Sequence, residues 1–180
     1  IDEAVEVARG LPASPLALMQ RLQRRFALLG VTGTVRMALS ALDMALWDAI
    51  AIDRAQPLAA LLGGPVQPLA AYDSRGLGLM DTDRLAAESE ALLAKGLPAV
   101  KLRLGYESLE EDLAAVATVR RQVGEGIAIM VDYNQALTVA EAIRRGRALD
   151  DCGLVWIEEP IAHDDRRGYA RLAQALRTPL

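Results

Sequence analysis

The chain is poor in the residues that build thiol and imidazole sites. Its 180 residues include one cysteine, Cys152, and one histidine, His163. A lone cysteine cannot form a disulfide within the chain, and Cys152 has no thiol or imidazole partner at metal-ligand spacing. A disulfide scaffold and a Cys/His zinc site are therefore excluded, and Cys152 is assigned to packing. His163 precedes Asp164, an expected helix-start residue, and is predicted to be a cap or surface residue.

Basic clusters and long uncharged apolar runs are also missing. Lys and Arg total 20 against 24 Asp and Glu, a formal net charge of -4, and no basic block suits a phosphate backbone. The most apolar stretch, residues 37–52, is interrupted by Asp43 and Asp48, and the N-terminus has no basic region followed by an apolar core. These features predict a soluble, cytoplasmic protein without a nucleic-acid or membrane partner. The hydrophobic content of 52% is ample for a packed core.

The pattern of apolar residues changes near Gly63-Gly64-Pro65. Before this point, residues 16–29 and 35–53 carry apolar side chains at helical spacing. After it, short apolar runs at 69–72, 99–104, 127–131 and 154–157 alternate with amphipathic helical segments at 83–97, 109–123, 139–149 and 166–176. We therefore predict a helical part over 1–65 and four strand-helix units over 66–180. The Arg144–Arg145 pair of the third helical segment is assigned to a polar helix face.

Strand-helix alternation is typical of an α/β protein with a parallel sheet, which is either an open doubly wound sheet or a closed barrel. A dinucleotide-binding sheet would show a glycine-rich turn after its first strand. Gly76-Leu77-Gly78 begins such a motif, but the residue three beyond Gly78 is Asp81, a charge that would repel a pyrophosphate. The dinucleotide-binding interpretation is therefore disfavoured.

Polar residues end three of the predicted strands. Lys101 and Arg103 are two residues apart on one strand and therefore share a face, and Asp132 and Asn134 have the same relation if the next strand stays extended. Glu158 ends the following strand, whereas Glu159 is expected to point to the other face. Buried carboxylates need a cation or hydrogen bonds, and oxygen ligands from separate strands suit a hard divalent ion such as Mg2+. These residues predict one metal-assisted site for carboxylate chemistry.

Several of these segments resemble the mandelate racemase and muconate-lactonizing enzyme branch of the enolase superfamily. The similarity covers residues 17–170 and is strongest in 99–106 (AVKLRLGY), 129–135 (IMVDYNQ) and 156–160 (WIEEP), with further matches at 33–38, 43–49 and 71–74. This resemblance implies that the first half is the helical end of a capping domain. It also implies that the second half is the first half of a modified TIM (β/α) barrel.

In such enzymes, magnesium and nearby cations bind a substrate carboxylate while a base removes the neighbouring carbon-bound proton, giving a metal-stabilised enolate. The resemblance implies that Asp132 and Glu158 are two of three metal ligands and that Lys101 is the catalytic cation beside the carboxylate. It also implies that Asn134 contacts the substrate's hydroxyl group and that Ser74 lies at the pocket wall. The expected reaction is racemisation or dehydration of a hydroxy-carboxylate, by a protein expected to be a homo-oligomer.

The sequence departs from the family pattern at Arg103, where similar enzymes have a lysine that acts as a base. Arginine stays protonated, so Arg103 is expected to be an anion clamp and racemisation by two opposed bases is disfavoured. The third metal ligand and a histidine-aspartate pair would follow Leu180. We therefore expect the 180-residue chain to be an inactive fragment, and the alternative is a non-catalytic remnant or assembly subunit with an incomplete site.

Overall fold

A computed structural model describes residues 2–96 and 98–180. The chain divides into two compact units, one ending at Pro68 and the other beginning at Leu69. Among the described residues, no helix combines the length and the apolar character needed to cross a lipid bilayer.

The first unit is made of helices. They are α1 (Asp2–Ala8), α2 (Pro15–Arg25), α3 (Gly33–Asp53) and α4 (Leu58–Leu61), with a short 3₁₀ turn at Ala27–Leu29. Leu18 and Leu22, four residues apart on one face of α2, lie in its core together with Leu39 of α3. The helix predicted over 16–29 ends early at Arg25, where the backbone of Phe26 leaves helical geometry.

The second unit alternates strands and helices. It contains α5 (Thr82–Leu93), β1 (Ala99–Arg103), α6 (Leu109–Val123), β2 (Ala128–Asp132), α7 (Val139–Leu149), β3 (Leu154–Glu158) and α8 (Arg166–Ala175). The three strands are parallel in the order β1-β2-β3. One face of this sheet packs against the helices through buried residues such as Leu102, Val131 and Ile157. The expected α/β class with a parallel sheet is therefore confirmed.

The prediction of a strand over 69–72 is wrong, because these residues form no strand in the structure. The chain makes only a single parallel bridge to β1, in which the Asp73 N–H donates to the Ala99 carbonyl at 3.0 Å and the Lys101 N–H donates to the Asp73 carbonyl at 3.0 Å. Leu69 is 81% exposed, and Pro68 beside it has no N–H to donate. The described sheet consequently has three strands rather than four.

Side-chain caps set the starts of the helices that follow the strands. Ser108 forms a capping box with Glu111 at the start of α6, and the Thr138 hydroxyl caps α7 by accepting the Glu141 N–H. For α8 the capping residue is Asp165 rather than the predicted Asp164, because the Asp165 carboxylate accepts the Gly168 N–H at 2.8 Å. Each cap fixes the point at which the chain enters a helix after leaving the C-terminal end of a strand.

A β-bulge in β3 decides which side of the sheet Glu158 occupies. Leu154 is opposite Ile129, but Ile157 rather than Trp156 is opposite Val131, so β3 contains one extra residue. Side chains alternate along a strand, and the extra residue reverses the alternation. Glu158 therefore comes opposite Asp132 and shares its face, whereas a regular strand would turn Glu158 toward the helices.

Candidate metal and carboxylate site

The C-terminal ends of the three strands bring one ammonium group between two carboxylates. Lys101 Nζ lies 3.0 Å from Asp132 Oδ2 and 3.2 Å from Glu158 Oε1. Burial opposes the charge of Lys101, but hydrogen bonds to Asp132 and Glu158 raise its pKa above the usual value, so it remains an ammonium ion. The three residues predicted from separate strand ends therefore meet at one point.

Asp132 is also held by Asn134. The Asn134 backbone N–H and side-chain Nδ2 both donate to Asp132 Oδ1, at 2.8 and 2.6 Å. The condition for Asp132 and Asn134 to share a strand face is not met, because β2 ends at Asp132 and Asn134 has a φ of 43°. This left-handed residue folds the amide back onto the carboxylate, and it still lines the same cavity as Asp132.

Glu158 is oriented from the strand that carries it. Trp156 Nε1 donates to Glu158 Oε2 at 3.3 Å, and the Trp156 ring makes an edge contact with Tyr72 at 5.7 Å between centroids. The bulge that places these side chains together has no signature in an apolar run, so the contact of Trp156 with Glu158 was not predictable from the sequence. Glu159 lies apart from the carboxylate pair and accepts a 3.4 Å hydrogen bond from Gln135 Nε2.

Arg103 is a second cation on the face of β1 that carries Lys101. It is opposite Asp132 in the strand register. It makes no ion pair with any residue that the structure describes, and its buried Nε has no hydrogen-bond partner there. Lys101 and Arg103 thus face one space, as predicted, but only Lys101 has its charge compensated.

These side chains border a polar cavity of about 590 Å³. Its lining comprises Ser74, Gly76, Gly78, Leu79, Lys101, Arg103, Asp132 and Asn134. Ser74 is an exposed residue at this wall, where the sequence predicted it. The volume lies within the range of small-molecule sites in proteins.

A buried network that was not predicted from the sequence supports the loop after β1. Asp112 is fully buried and accepts hydrogen bonds from the backbone N–H groups of Gly105 and Tyr106, from Tyr133 Oη at 2.8 Å and from Arg145 Nη1 at 2.7 Å. The assignment of Arg145 to a polar helix face is wrong, because its guanidinium is buried against Asp112 and Glu141. A buried ion pair must be completed by hydrogen bonds, and here the loop backbone supplies them.

Tyr106 ties this loop to the cavity wall. Its hydroxyl donates to the Met80 carbonyl at 2.6 Å and accepts from the Met80 N–H at 3.0 Å. Nearby, Glu88 accepts the Leu77 N–H at 2.8 Å, and the Arg103 N–H donates to the Leu77 carbonyl at 2.9 Å. The segment that carries Ser74 and the two glycines is thus fixed to β1 and its loop.

The donor set suits a hard cation in part. Because Lys101 Nζ touches Asp132 Oδ2 and Glu158 Oε1 together, one cation can reach an oxygen of each carboxylate. Oxygen ligands of this kind suit Mg2+, which usually keeps further positions for water or substrate. Among residues 2–96 and 98–180, no group of three or more His, Cys, Asp or Glu side chains is arranged to hold a metal ion.

The fold and this site define a class: α/β proteins of the barrel type that carry acidic and basic side chains at the C-terminal ends of parallel strands. Residues 84–180 match the enolase C-terminal domain-like family, and residues 4–63 match the N-terminal domain of mandelate racemase / muconate lactonizing enzyme. The chain belongs to the mandelate racemase/muconate-lactonizing enzyme family of the enolase superfamily. It represents part of the modified TIM barrel with helices that precede it in sequence.

Characterised relatives include dehydratases and cycloisomerases of sugar acids. L-talarate/galactarate dehydratase of Salmonella typhimurium is 36% identical over 156 residues, which is 86% of this chain and 39% of the relative. The 3,6-anhydro-alpha-L-galactonate cycloisomerase of Streptomyces coelicolor is 38% identical over 160 residues, covering 87% of this chain and 44% of the relative. The chain thus spans about two-fifths of the length of these relatives.

Solved structures agree closely with the fold. An enolase from an alphaproteobacterium with bound magnesium has a TM-score of 0.93 and 38% identity, covering 99% of this chain and 50% of that one. An enolase from Bradyrhizobium complexed with magnesium and mandelic acid has a TM-score of 0.85 and 35% identity, covering 99% and 51%. These similarities extend over nearly the whole chain and about half of each neighbour.

Proposed function

We propose that this chain supplies part of the active site of a Mg2+-dependent enzyme that removes the α-proton of a hydroxy-carboxylate, with racemisation or dehydration as the outcome. The observation that carries the proposal is the meeting of Lys101, Asp132 and Glu158 at neighbouring strand ends beside a polar cavity. Carboxylates on separate strands that share one cation are suited to hold a metal, and the adjacent space suits its substrate.

Each residue of the site has a proposed role. Asp132 and Glu158 are two ligands of the magnesium ion, and when bound this ion supplies positive charge to the substrate carboxylate. Lys101 provides a second positive charge where negative charge develops during proton removal. Asn134 binds the substrate's hydroxyl group, and Ser74 contacts the substrate from the cavity wall.

Arg103 contributes a positive charge and does not serve as the base. A guanidinium group stays protonated at ordinary pH, so it binds anions well and accepts protons poorly. The α-proton must therefore pass to another residue of the complete site. Racemisation through a base on each side of the α-carbon is disfavoured, and dehydration needs a base that can also protonate the departing hydroxyl group.

The wider organisation is proposed from the same family membership. The segment 1–65 is the helical part of a capping domain, and 66–180 is the first part of the barrel domain. A homo-oligomer is part of the proposal, and Met37 and Met44 of α3, which are 71% and 65% exposed, are available to pack against a second copy or against the rest of the complete protein. Cys152 is a free thiol, as expected for a protein of the reducing cytoplasm.

Metal binding by variants of the two acidic residues tests the function. In the protein expressed from its complete reading frame, we expect Asp132→Asn and Glu158→Gln each to weaken Mg2+ binding by about tenfold or more, measured by calorimetric titration. Asp164→Asn removes an exposed carboxylate outside the site and should leave the affinity unchanged. The parent should also exchange the α-proton of a bound hydroxy acid with deuterium from solvent, observed by NMR.

Two results would contradict this function. Equal Mg2+ affinity in the parent and in both acidic variants would remove the proposed metal site. Tight Mg2+ binding without α-proton exchange for any hydroxy acid tested would favour the non-catalytic alternative instead.

A further inference from the structure

We propose that Tyr106 is a positioning residue for substrate binding, because it holds the wall segment of the cavity, residues 74–80, against the strand ends that carry Lys101 and Arg103. This inference rests on the proposed function, because it assumes that the substrate occupies the cavity beside the wall segment. Tyr106 itself is not among the residues that line this cavity.

The wall segment supplies half of the cavity lining without forming a helix or a strand. The eight lining residues comprise four from the wall segment and four from the strand ends, namely Ser74, Gly76, Gly78 and Leu79 against Lys101, Arg103, Asp132 and Asn134. A stretch without a regular ladder of backbone hydrogen bonds depends on its individual contacts for its position. The shape of the cavity therefore depends on what anchors this segment.

The wall segment contains an unfavourable backbone conformation at Leu77. This residue is fully buried and has a φ of 46°, in the left-handed region that a bulky side chain rarely adopts. Such a conformation persists only where the surrounding structure imposes it. Loss of an anchor should consequently allow the wall segment to relax away from the cavity.

Two side chains outside the wall segment bind its backbone. The Tyr106 hydroxyl uses both polar backbone groups of Met80, because it donates to the carbonyl at 2.6 Å and accepts the N–H at 3.0 Å. The Glu88 carboxylate of α5 accepts the Leu77 N–H at 2.8 Å. Since the bridge of Asp73 to β1 fixes the beginning of the wall segment, Tyr106 fixes its other end.

Tyr106 is suited to this role because its own backbone is bonded to a buried ion pair. Asp112 accepts the Tyr106 N–H at 3.1 Å, and Arg145 Nη1 donates to the Tyr106 carbonyl at 2.9 Å. Asp112 and Arg145 are paired with each other at 2.7 Å between α6 and α7. The ion pair therefore fixes Tyr106, and Tyr106 fixes the wall segment.

Tyr106→Phe tests this role, because it keeps the ring and removes both hydrogen bonds to Met80. The informative backbone groups are the N–H of Leu77 and the N–H of Arg103, which are bonded to Glu88 and to the Leu77 carbonyl rather than to Tyr106. In the protein expressed from its complete reading frame, both should exchange with deuterium about tenfold faster than in the parent, measured by mass spectrometry of overlapping peptides.

Binding of hydroxy acids gives the second measurement. The Mg2+-saturated protein is titrated calorimetrically with mandelate, galactonate and galactarate. For each acid that the parent binds, Tyr106→Phe should bind about threefold to tenfold more weakly, because only molecules with the wall segment in place are competent to bind. Mg2+ affinity should be the same in the variant and the parent, because Asp132 and Glu158 are not bonded to Tyr106.

Glu88→Ala removes the other side-chain anchor and should also speed exchange at the Arg103 N–H and weaken acid binding. Tyr169→Phe is the matched control, because the Tyr169 hydroxyl likewise donates to a backbone carbonyl, that of Ile161 at 3.1 Å, and lies outside the wall segment. It should leave exchange at the Arg103 N–H and the affinity for the acids unchanged.

Three results would overturn the role of Tyr106. Unchanged exchange at Leu77 and Arg103 in Tyr106→Phe would show that Tyr106 does not hold the wall segment. Faster exchange with unchanged acid affinity would limit Tyr106 to stabilising the fold, and in both cases the proposed function would stand. Failure of the parent to bind any of the three acids, with Mg2+ bound, would overturn the proposed function as well.

Discussion

Lys101 stabilises two carboxylates that would otherwise repel each other at the strand ends. The side chains of Lys101 and Asp132 are 19% and 9% exposed, so solvent screens this ion pair only weakly. The Glu158 side chain is 33% exposed, and its interaction with Lys101 is more strongly screened. Most of the stabilisation by Lys101 is therefore expected from its contact with Asp132.

Replacing Lys101 should destabilise the protein most when no divalent ion is present. We expect Lys101→Met to lower the free energy of unfolding by about 1–3 kcal/mol, because a part-buried carboxylate loses its cation. If Asp132 and Glu158 bind the metal as proposed, saturating Mg2+ should restore more stability to the variant than to the parent, because the ion would contact the oxygens that Lys101 contacts. Urea unfolding with and without Mg2+ measures both effects.

Lys95→Met is the control for this prediction. Lys95 also contacts a buried carboxylate, that of Asp73, but Asp73 keeps its pairing with Arg75. The loss should therefore be smaller, and Mg2+ should not change it. A response to Mg2+ equal to that of Lys101→Met would contradict the competition described for the site.

At the residue scale, the strand-end positions of Lys101, Asp132 and Glu158 were predictable from the sequence. The carboxyl ends of parallel strands meet at one edge, so polar residues that end apolar runs are brought together. The burial of Arg145 was not predictable, because its partner Asp112 is 33 residues away on another helix. A helix pattern identifies an amphipathic face and does not reveal which charges on its border become buried.

At the scale of whole elements, the start of α8 depends on Gly168, because its surroundings leave no space for a side chain at this position. A Cβ atom built on Gly168 would lie 2.5 Å from both Asp165 Oδ2 and Ile161 Cδ1. Alanine normally favours a helix over glycine, but here it would push against the capping carboxylate and a buried isoleucine. The local packing is expected to outweigh helix propensity.

Gly168→Ala should therefore lower the free energy of unfolding by about 1–3 kcal/mol, measured by urea denaturation. Gly126→Ala is the control, because nothing lies within 4 Å of its built Cβ. That variant is expected to be neutral or slightly stabilising, since alanine reduces the freedom of the unfolded chain. A stabilised Gly168→Ala protein would show that Ile161 and Asp165 can move aside without loss.

The existence and order of the elements in the second unit followed from the sequence, and two features did not. The segment 69–72 is apolar enough for a strand, yet it is exposed and the only bridge of the described chain to β1 in this region is made by Asp73. The bulge in β3 was hidden because Val155, Trp156 and Ile157 are all apolar and show no alternation. Periodicity is informative only where the two faces differ in polarity.

At the scale of the molecule, several carboxylates are held in their charged form by hydrogen bonds. Hydrogen bonds from Arg144 and then Arg145 lower the pKa of Glu141 from 4.5 to about 2. Hydrogen bonds from the Arg75 side chain and backbone likewise lower the pKa of Asp73 well below its usual range. A carboxyl group with a depressed pKa in the folded state stabilises the fold above its unfolded pKa and loses this effect as the pH falls.

The free energy of unfolding should therefore decrease as the pH falls from about 4.5 toward 2. Glu141→Gln should be less stable than the parent at neutral pH, and the two proteins should converge near pH 2, where Glu141 becomes protonated. Urea unfolding across this pH range measures the convergence. Glu125→Gln changes an exposed residue elsewhere in the second unit, and its free energy of unfolding should follow the pH dependence of the parent. A difference in free energy between Glu141→Gln and the parent that stays constant with pH would contradict the lowered pKa of Glu141.

The number of residues in β3 decides whether the Glu158 side chain lies on the same face of the sheet as Asp132. Between Leu154 and Glu158, the count of residues determines which side of the sheet receives the acid, whereas the identities of Val155 and Trp156 do not enter that geometry. Replacement of Val155 by another side chain leaves this placement unchanged, whereas loss or gain of one residue between Leu154 and Glu158 would turn the Glu158 side chain toward the helices. Distantly related members of this family should therefore differ in side chains here and keep the same number of residues between the positions of Leu154 and Glu158.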